Sequence, residues 1–200
     1  LFIDQKTIEK LAEKAFFEIS HFLRPSHLKK LQNILRDKSA SDNDKYVANT
    51  LLKNANVAAG GILPMCQDTG TAIILAKKGN QILTNGKDID SLSKGILKCY
   101  KNNNLRYSQM SATSMYEEIN TKNNLPAQID IMNEGDSSEY KFYFIAKGGG
   151  SANKTFFFQA TPSLLKSKNL ETYLIEKIIN IGTSACPPYH LAIVIGGLSA

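Results

Sequence analysis

The stretch Gly61-Ile-Leu-Pro-Met-Cys66-Gln67-Asp68-Thr69-Gly70-Thr-Ala-Ile-Ile-Leu75 sets a thiol, an amide, a carboxylate and a hydroxyl in four consecutive positions. Pro64 and Gly70 bracket that cluster, and Thr71 to Leu75 is an apolar run with β-propensity. The order reads as loop, reactive cluster, then strand. Crowded polar side chains at the mouth of a strand are poor core material. They suit a site, because a loop anchored by a rigid strand can aim several groups at one point.

Upstream, apolar residues recur at helical spacing. Ile8, Leu11, Ala15, Phe16, Ile19, Phe22 and Leu23 form one stripe of a helix beginning near Asp4 and continuing toward Arg36. Pro25 divides it, so the spacing predicts a second helix carrying Leu28, Leu31, Ile34 and Leu35. Ser39 to Asp44 reads as a linker, with Ser41 or Asp42 available as an N-cap. A third helix spans Tyr46 to Ala59 and stops at Gly60-Gly61. His21 and His27 lie in this helical region without neighbouring ligands and read as surface or packing residues.

Downstream, Lys77 to Asn80 reads as a turn into Gln81–Thr84, which predicts a hairpin. Asp88 to Lys101 has helical period, with Cys99 as a structural thiol near its end. The polar loop from Lys101 to Gln109 holds Arg106, the one arginine outside the N-terminal helical region. Its planar guanidinium suits a carboxylate, and a surface salt bridge is the competing reading. Ala127 to Met132 and Glu139 to Ala146 read as strands. The second runs into Lys147-Gly148-Gly149-Gly150-Ser151, where glycines let a ligand approach the backbone. Neither GxGxxG nor GxxxxGK[ST] is present, so this is no nucleotide fingerprint. Asn169 to Ile181 reads as a helix, Gly182 to His190 as a loop, and Leu191 onward as a last strand.

The chain has 200 residues, 42% hydrophobic and 21% charged, which suits a globular fold with a real core. Lysine dominates the net charge of +6, but the lysines are scattered among acids, which argues against nucleic-acid binding. No apolar run reaches the roughly 18 residues of a membrane span. Starting at Leu1 and ending just after an apolar run, the chain is expected to be a piece of a longer polypeptide. Three cysteines without framework spacing point to a reduced, intracellular setting.

Cys66 and Cys186 share surroundings: a loop, a nearby proline and an apolar run soon after. No CxxC or HxxxH pair is present to complete a zinc tetrahedron. An iron–sulfur cluster tolerates ligands far apart in sequence, and a cysteine nucleophile paired with His190 is the competing enzymatic reading.

Four motifs occur in order: Pro64-Met-Cys66-Gln67-Asp68-Thr69-Gly70-Thr71, Asn104-Leu-Arg106-Tyr-Ser-Gln109, Lys147-Gly-Gly-Gly-Ser-Ala-Asn-Lys154 and Ala185-Cys186-Pro-Pro-Tyr-His190. Together they resemble the class I, iron–sulfur-dependent fumarate hydratases, from about residue 45 onward; tartrate dehydratase α-type subunits share the general pattern. The resemblance implies an α/β (α+β) domain, helical over 1–60 and mixed over 61–200. This would be part of the N-terminal domain of a two-domain enzyme, commonly a dimer, with the C-terminal part and second domain lying elsewhere. It implies reversible hydration of fumarate to L-malate at a 4Fe–4S cluster held by three cysteines, in an enzyme that is mitochondrial or cytoplasmic. Cys66 and Cys186 match two ligands, and the third would fall beyond residue 200. Gln67, Asp68, Arg106 and Gly149 match substrate-contacting positions, with Asp68 the candidate for proton transfer. Cys99 matches no ligand position, so a 200-residue piece alone is expected to hold no stable cluster. The alternatives are a dehydratase for tartrate or a methylated fumarate, and an inactive folding or interaction module.

Overall fold

The computed structural model describes residues 1–66, 70–184 and 189–196. Its organising element is the strand β1, Thr71–Lys78, which grows directly out of the reactive stretch. β1 is the central strand of a three-stranded sheet. On one side it pairs in parallel with β4 (Gln128–Asn133), on the other antiparallel with β5 (Tyr140–Lys147). Ile73 is thereby opposite both Gln128 and Ile145.

Two helices cover one face of this sheet. α1, Gln5–His21, is capped by Asp4, whose carboxylate accepts the Thr7 amide at 2.9 Å. α4, Asp88–Asn102, crosses α1 closely at Gly95, where an added Cβ would lie 2.3 Å from the Glu9 carbonyl oxygen. Residues four apart on α1 (Ile8, Ala12, Phe16) meet Leu92, Ile96, Cys99 and Tyr100 of α4 above Ala72 and Ile74 of β1. Phe16 sits edge-on to Phe144 of β5 at 5.6 Å. Burying each large side chain of this kind contributes about 2 kcal/mol, which makes this layer the main source of the fold's stability.

α2 (Pro25–Arg36) and α3 (Asp42–Ala58) form a second helical layer. Pro25 begins α2 instead of merely breaking a helix, in the first turn, where its missing N–H costs nothing. Ser41 caps α3 in a reciprocal box with Asp44, so the helix already covers Asp42 to Asp44, residues that the polarity of the segment assigned to a linker. Gly61, at φ 74°, turns the chain out of the Gly60-Gly61 stop.

Three other features differ from the sequence reading. No hairpin forms at 77–84, because β4 and β5 occupy both edges of β1; Leu83 instead bridges Phe2 at the amino end. A short two-stranded ribbon, β2 (Met110–Ala112) with β3 (Glu118–Asn120), follows the Arg106 loop. Residues 191–196 pair with no strand among the described residues. The segment 149–196 adds α5 (Gly149–Ala152), a 3-10 turn at Pro162–Leu165 and α6 (Ser167–Ile181), and buries none of its described residues. Helices packed with small mixed sheets make this an α/β (α+β) fold. No helix among the described residues is long and apolar enough to cross a membrane.

Candidate functional site

Residues 61–66 are fastened from three directions. The Met65 amide donates to the Ser20 carbonyl of α1 at 2.8 Å, and Met65 itself is buried. The Cys66 amide donates to Asn54 Oδ1 of α3 at 2.8 Å. Asn104, beyond α4, donates to the Ile62 carbonyl at 3.3 Å. The backbone at Cys66 is therefore held, while the residue and its free thiol are exposed. That combination suits a ligand or reactive group better than a core residue.

Arg106 arrives from the loop after α4. Its Nη2 lies 3.4 Å from Cys66 Sγ and 3.4 Å from the Cys66 carbonyl oxygen. Leu105 is sunk in the core immediately before it, so one residue anchors and the next points out. A guanidinium in that place can balance negative charge on sulfur and retains donors for a carboxylate.

The two loops have a common buried root. The Tyr100 phenol donates to the Gly70 carbonyl at 2.5 Å. Burial, reinforced by Cys99, pushes that phenol up against the hydrogen bond of Asn124, which keeps it protonated and a donor. Asn124 accepts from the Ser108 and Gln109 amides at 2.7 and 3.0 Å, and donates to the Arg106 carbonyl at 2.8 Å.

A third loop closes on the same place. β1 and β5 pair Thr71 with Lys147, which puts the glycine-rich run beside Gly70. A Cβ on Gly70 would fall 2.0 Å from the Lys147 carbonyl oxygen and 2.8 Å from Gly148 Cα. Here glycine is required by proximity. Gly149 follows, with nothing within 4 Å of where its side chain would be, so its backbone faces open space.

The structure thus brings Cys66 and Arg106 into contact and roots the Gly149 loop beside Gly70. Gln67, Asp68 and Cys186 lie outside the described residues. His190 Nε2 is 3.2 Å from His27 Nδ1, and its ring stacks on His27; of the two loop cysteines that could serve as its nucleophile, Cys186 lies outside the described residues. His21 is buried and stacked on Phe17, as a packing residue. Cys99 is fully buried, and burial together with the charge of Glu13 pushes its thiol up to about 12 against the hydrogen bond from Asn103. A thiol so held stays protonated and makes a poor metal ligand. No group of three His, Cys, Asp or Glu residues among the described residues could hold a metal.

Sequence reasoning missed Asn54, Tyr100 and Asn124, the residues that hold the site from behind. Only Asn124 carried a signal, as the end of an Asn-rich run before Leu125-Pro126.

The family model "Fumarate hydratase (Fumerase)" matches residues 9–200. The chain is 53% identical over 198 residues to "Fumarate hydratase class I, anaerobic" of Escherichia coli, covering 99% of this chain and 36% of that protein. It is 52% identical over 198 residues to "Fumarate hydratase 2" of Leishmania major, covering 99% of this chain and 35% of that protein. More distantly, it is 27% identical over 196 residues to "Putative L(+)-tartrate dehydratase subunit alpha" of Methanocaldococcus jannaschii, covering 95% of this chain and 67% of that protein. The chain spans about a third of the length of the fumarate hydratases it matches. With a family match that takes in residues 9–200, the chain belongs to the fumarate hydratase (Fumerase) family.

Proposed function

We propose that this chain supplies the N-terminal portion of the active site of a hydro-lyase that interconverts fumarate and L-malate. The observation that carries the reading is the Arg106 guanidinium 3.4 Å from an exposed Cys66 thiol, on two loops rooted together. Its support in kind comes from relatives named fumarate hydratase at more than 50% identity.

In this reading Arg106 binds one carboxylate of the dicarboxylate through its fork and fixes the carbon skeleton. Gly149 offers backbone without a side chain in the way, and Gln67 is a further polar contact. Asp68 moves the proton: it removes one from the carbon next to the hydroxyl-bearing carbon of malate, and returns one to that carbon in hydration. Water contributes the hydroxyl and the proton, so the addition balances without an oxidant or reductant.

The donor chemistry fits an iron–sulfur cluster at Cys66, whose sulfur is exposed and faces a cation; Cys99, buried and protonated, does not fit. Cys66 and Cys186 would hold the cluster together with a third cysteine from the remainder of the enzyme. When bound, a 4Fe–4S cluster with an open iron supplies a Lewis acid that makes hydroxide a better leaving group. The complete enzyme is read as an intracellular homodimer acting on a small dicarboxylate, with no nucleic-acid or membrane partner.

Anaerobic iron–sulfide reconstitution of the complete protein, followed by its visible spectrum and by fumarate hydration, tests this. Cluster and activity should appear together, and Cys66→Ser or Cys186→Ser should abolish both. A cluster without fumarate turnover would transfer the reading to tartrate or a methylated fumarate. No cluster, with both substitutions silent, would overturn it in favour of a folding or interaction module.

A further inference from the structure

Arg106 sits in a stretch, residues 105–109, that belongs to no helix or strand. Its Arg106 carbonyl and its Ser108 and Gln109 amides have no ladder partner, yet all three are bound by one side chain, that of Asn124. Asn124 is fully buried and stands at φ 56°, a conformation that asparagine tolerates better than most residues. The carboxamide is specific to this task. Its oxygen has two lone pairs for two amides, and its nitrogen is the donor that the carbonyl needs. Aspartate would lose the donor, and glycine would keep the positive φ while losing all three bonds.

We propose that Asn124 is a positioning residue: it sets the backbone at Arg106 so that the guanidinium meets Cys66 and the substrate carboxylate. This rests on the reading of Arg106 as the carboxylate-binding group. Buried hydrogen bonds that only stabilised the fold would lower the melting temperature and leave the substrate affinity of folded molecules alone. A positioning role adds a change in KM that depends on Arg106.

The test uses the complete, cluster-loaded protein with Asn124→Asp, Asn124→Gly, Arg106→Lys and the Asn124→Asp/Arg106→Lys double variant. Asn124→Asp should raise the KM for fumarate about tenfold with kcat changed less than about threefold. In the Arg106→Lys background the same substitution should add less than about twofold, because both changes disturb one contact. Hydrogen exchange of the segment 106–109 should accelerate at least about tenfold in Asn124→Gly, with the remaining core segments unaffected. An unchanged KM in Asn124→Asp, or losses that multiply in full with Arg106→Lys, would overturn the proposal even if the melting temperature falls. Should the wild-type protein leave fumarate untouched, the functional reading fails separately, and unaltered exchange at 106–109 in Asn124→Gly would overturn the positioning role by itself.

Discussion

The guanidinium of Arg106 lies 3.4 Å from the sulfur of Cys66, a residue 40 positions earlier in the chain. Neither residue belongs to a helix or strand, and each is held by hydrogen bonds from buried or helical neighbours. The contact puts a fixed positive fork beside the thiol that the functional reading assigns to a cluster. It also makes Arg106 the residue whose replacement reports most directly on the site.

Arg106→Lys retains the charge but loses the fork, so bidentate recognition of a carboxylate is lost. In the complete enzyme, kcat/KM for fumarate should fall by about a hundredfold, equivalent to about 2.7 kcal/mol. Arg106→Met should cost more. Steady-state hydration assays check both, and a Lys variant with wild-type kcat/KM would remove Arg106 from the substrate.

Gly95→Ala is expected to run against helix propensity. In an exposed helix the change stabilises by about 1 kcal/mol. At the α1–α4 crossing the new Cβ would fall 2.3 Å from the Glu9 carbonyl oxygen and 2.8 Å from the Ala12 Cβ. The helices must separate, for a net loss of about 2–3 kcal/mol. Thermal melting should register a fall of roughly 5–10 °C, whereas a rise would show that the crossing is looser than described.

Lys78, Asp88 and Tyr140 form a half-buried cluster at the far end of β1. Burial by itself would raise the Asp88 carboxyl, but hydrogen bonds from Lys78, Thr84 and Tyr140, with the Lys78 charge, hold it below the usual carboxylate range. Stability from this group is therefore present above the unfolded aspartate pKa of about 3.9 and is lost as pH falls through the lower folded value. Denaturant unfolding between pH 6 and pH 2 should show a smaller change for Asp88→Asn than for wild type. Lys78→Met should cost about 3 kcal/mol at pH 7 by stranding the carboxylate.

In cluster-free protein, iodoacetamide should alkylate Cys66 and spare Cys99 until denaturant is added, because Cys66 is exposed and Cys99 is buried with its thiol pushed up to about 12. Peptide mass mapping separates the two sites. Cys99→Ala should cost about 1 kcal/mol and leave cluster assembly intact. Rapid native labelling of Cys99 would contradict its place in the core.

The main helices and the strand that follows the Cys66 stretch were legible in the sequence alone. Periodicity at Ile8, Ala15 and Phe16 or at Leu92 and Ile96 reports which side of an element turns from water, and that preference is local. Motif order along the chain likewise points to Cys66, Arg106 and Gly149. Tertiary structure decided the rest. β1 took β4 and β5 as neighbours in place of a hairpin partner at 81–84, because strand pairing depends on which distant segments share a buried face. Likewise, Tyr100 and Asn54 carry no periodic or motif signal, and Asn124 shows only as the end of an Asn-rich run, since a buried hydrogen bond is defined by what folding brings opposite it. The contact between Arg106 and Cys66 arises only when α4 has packed on α1 and those three side chains have fixed the loops.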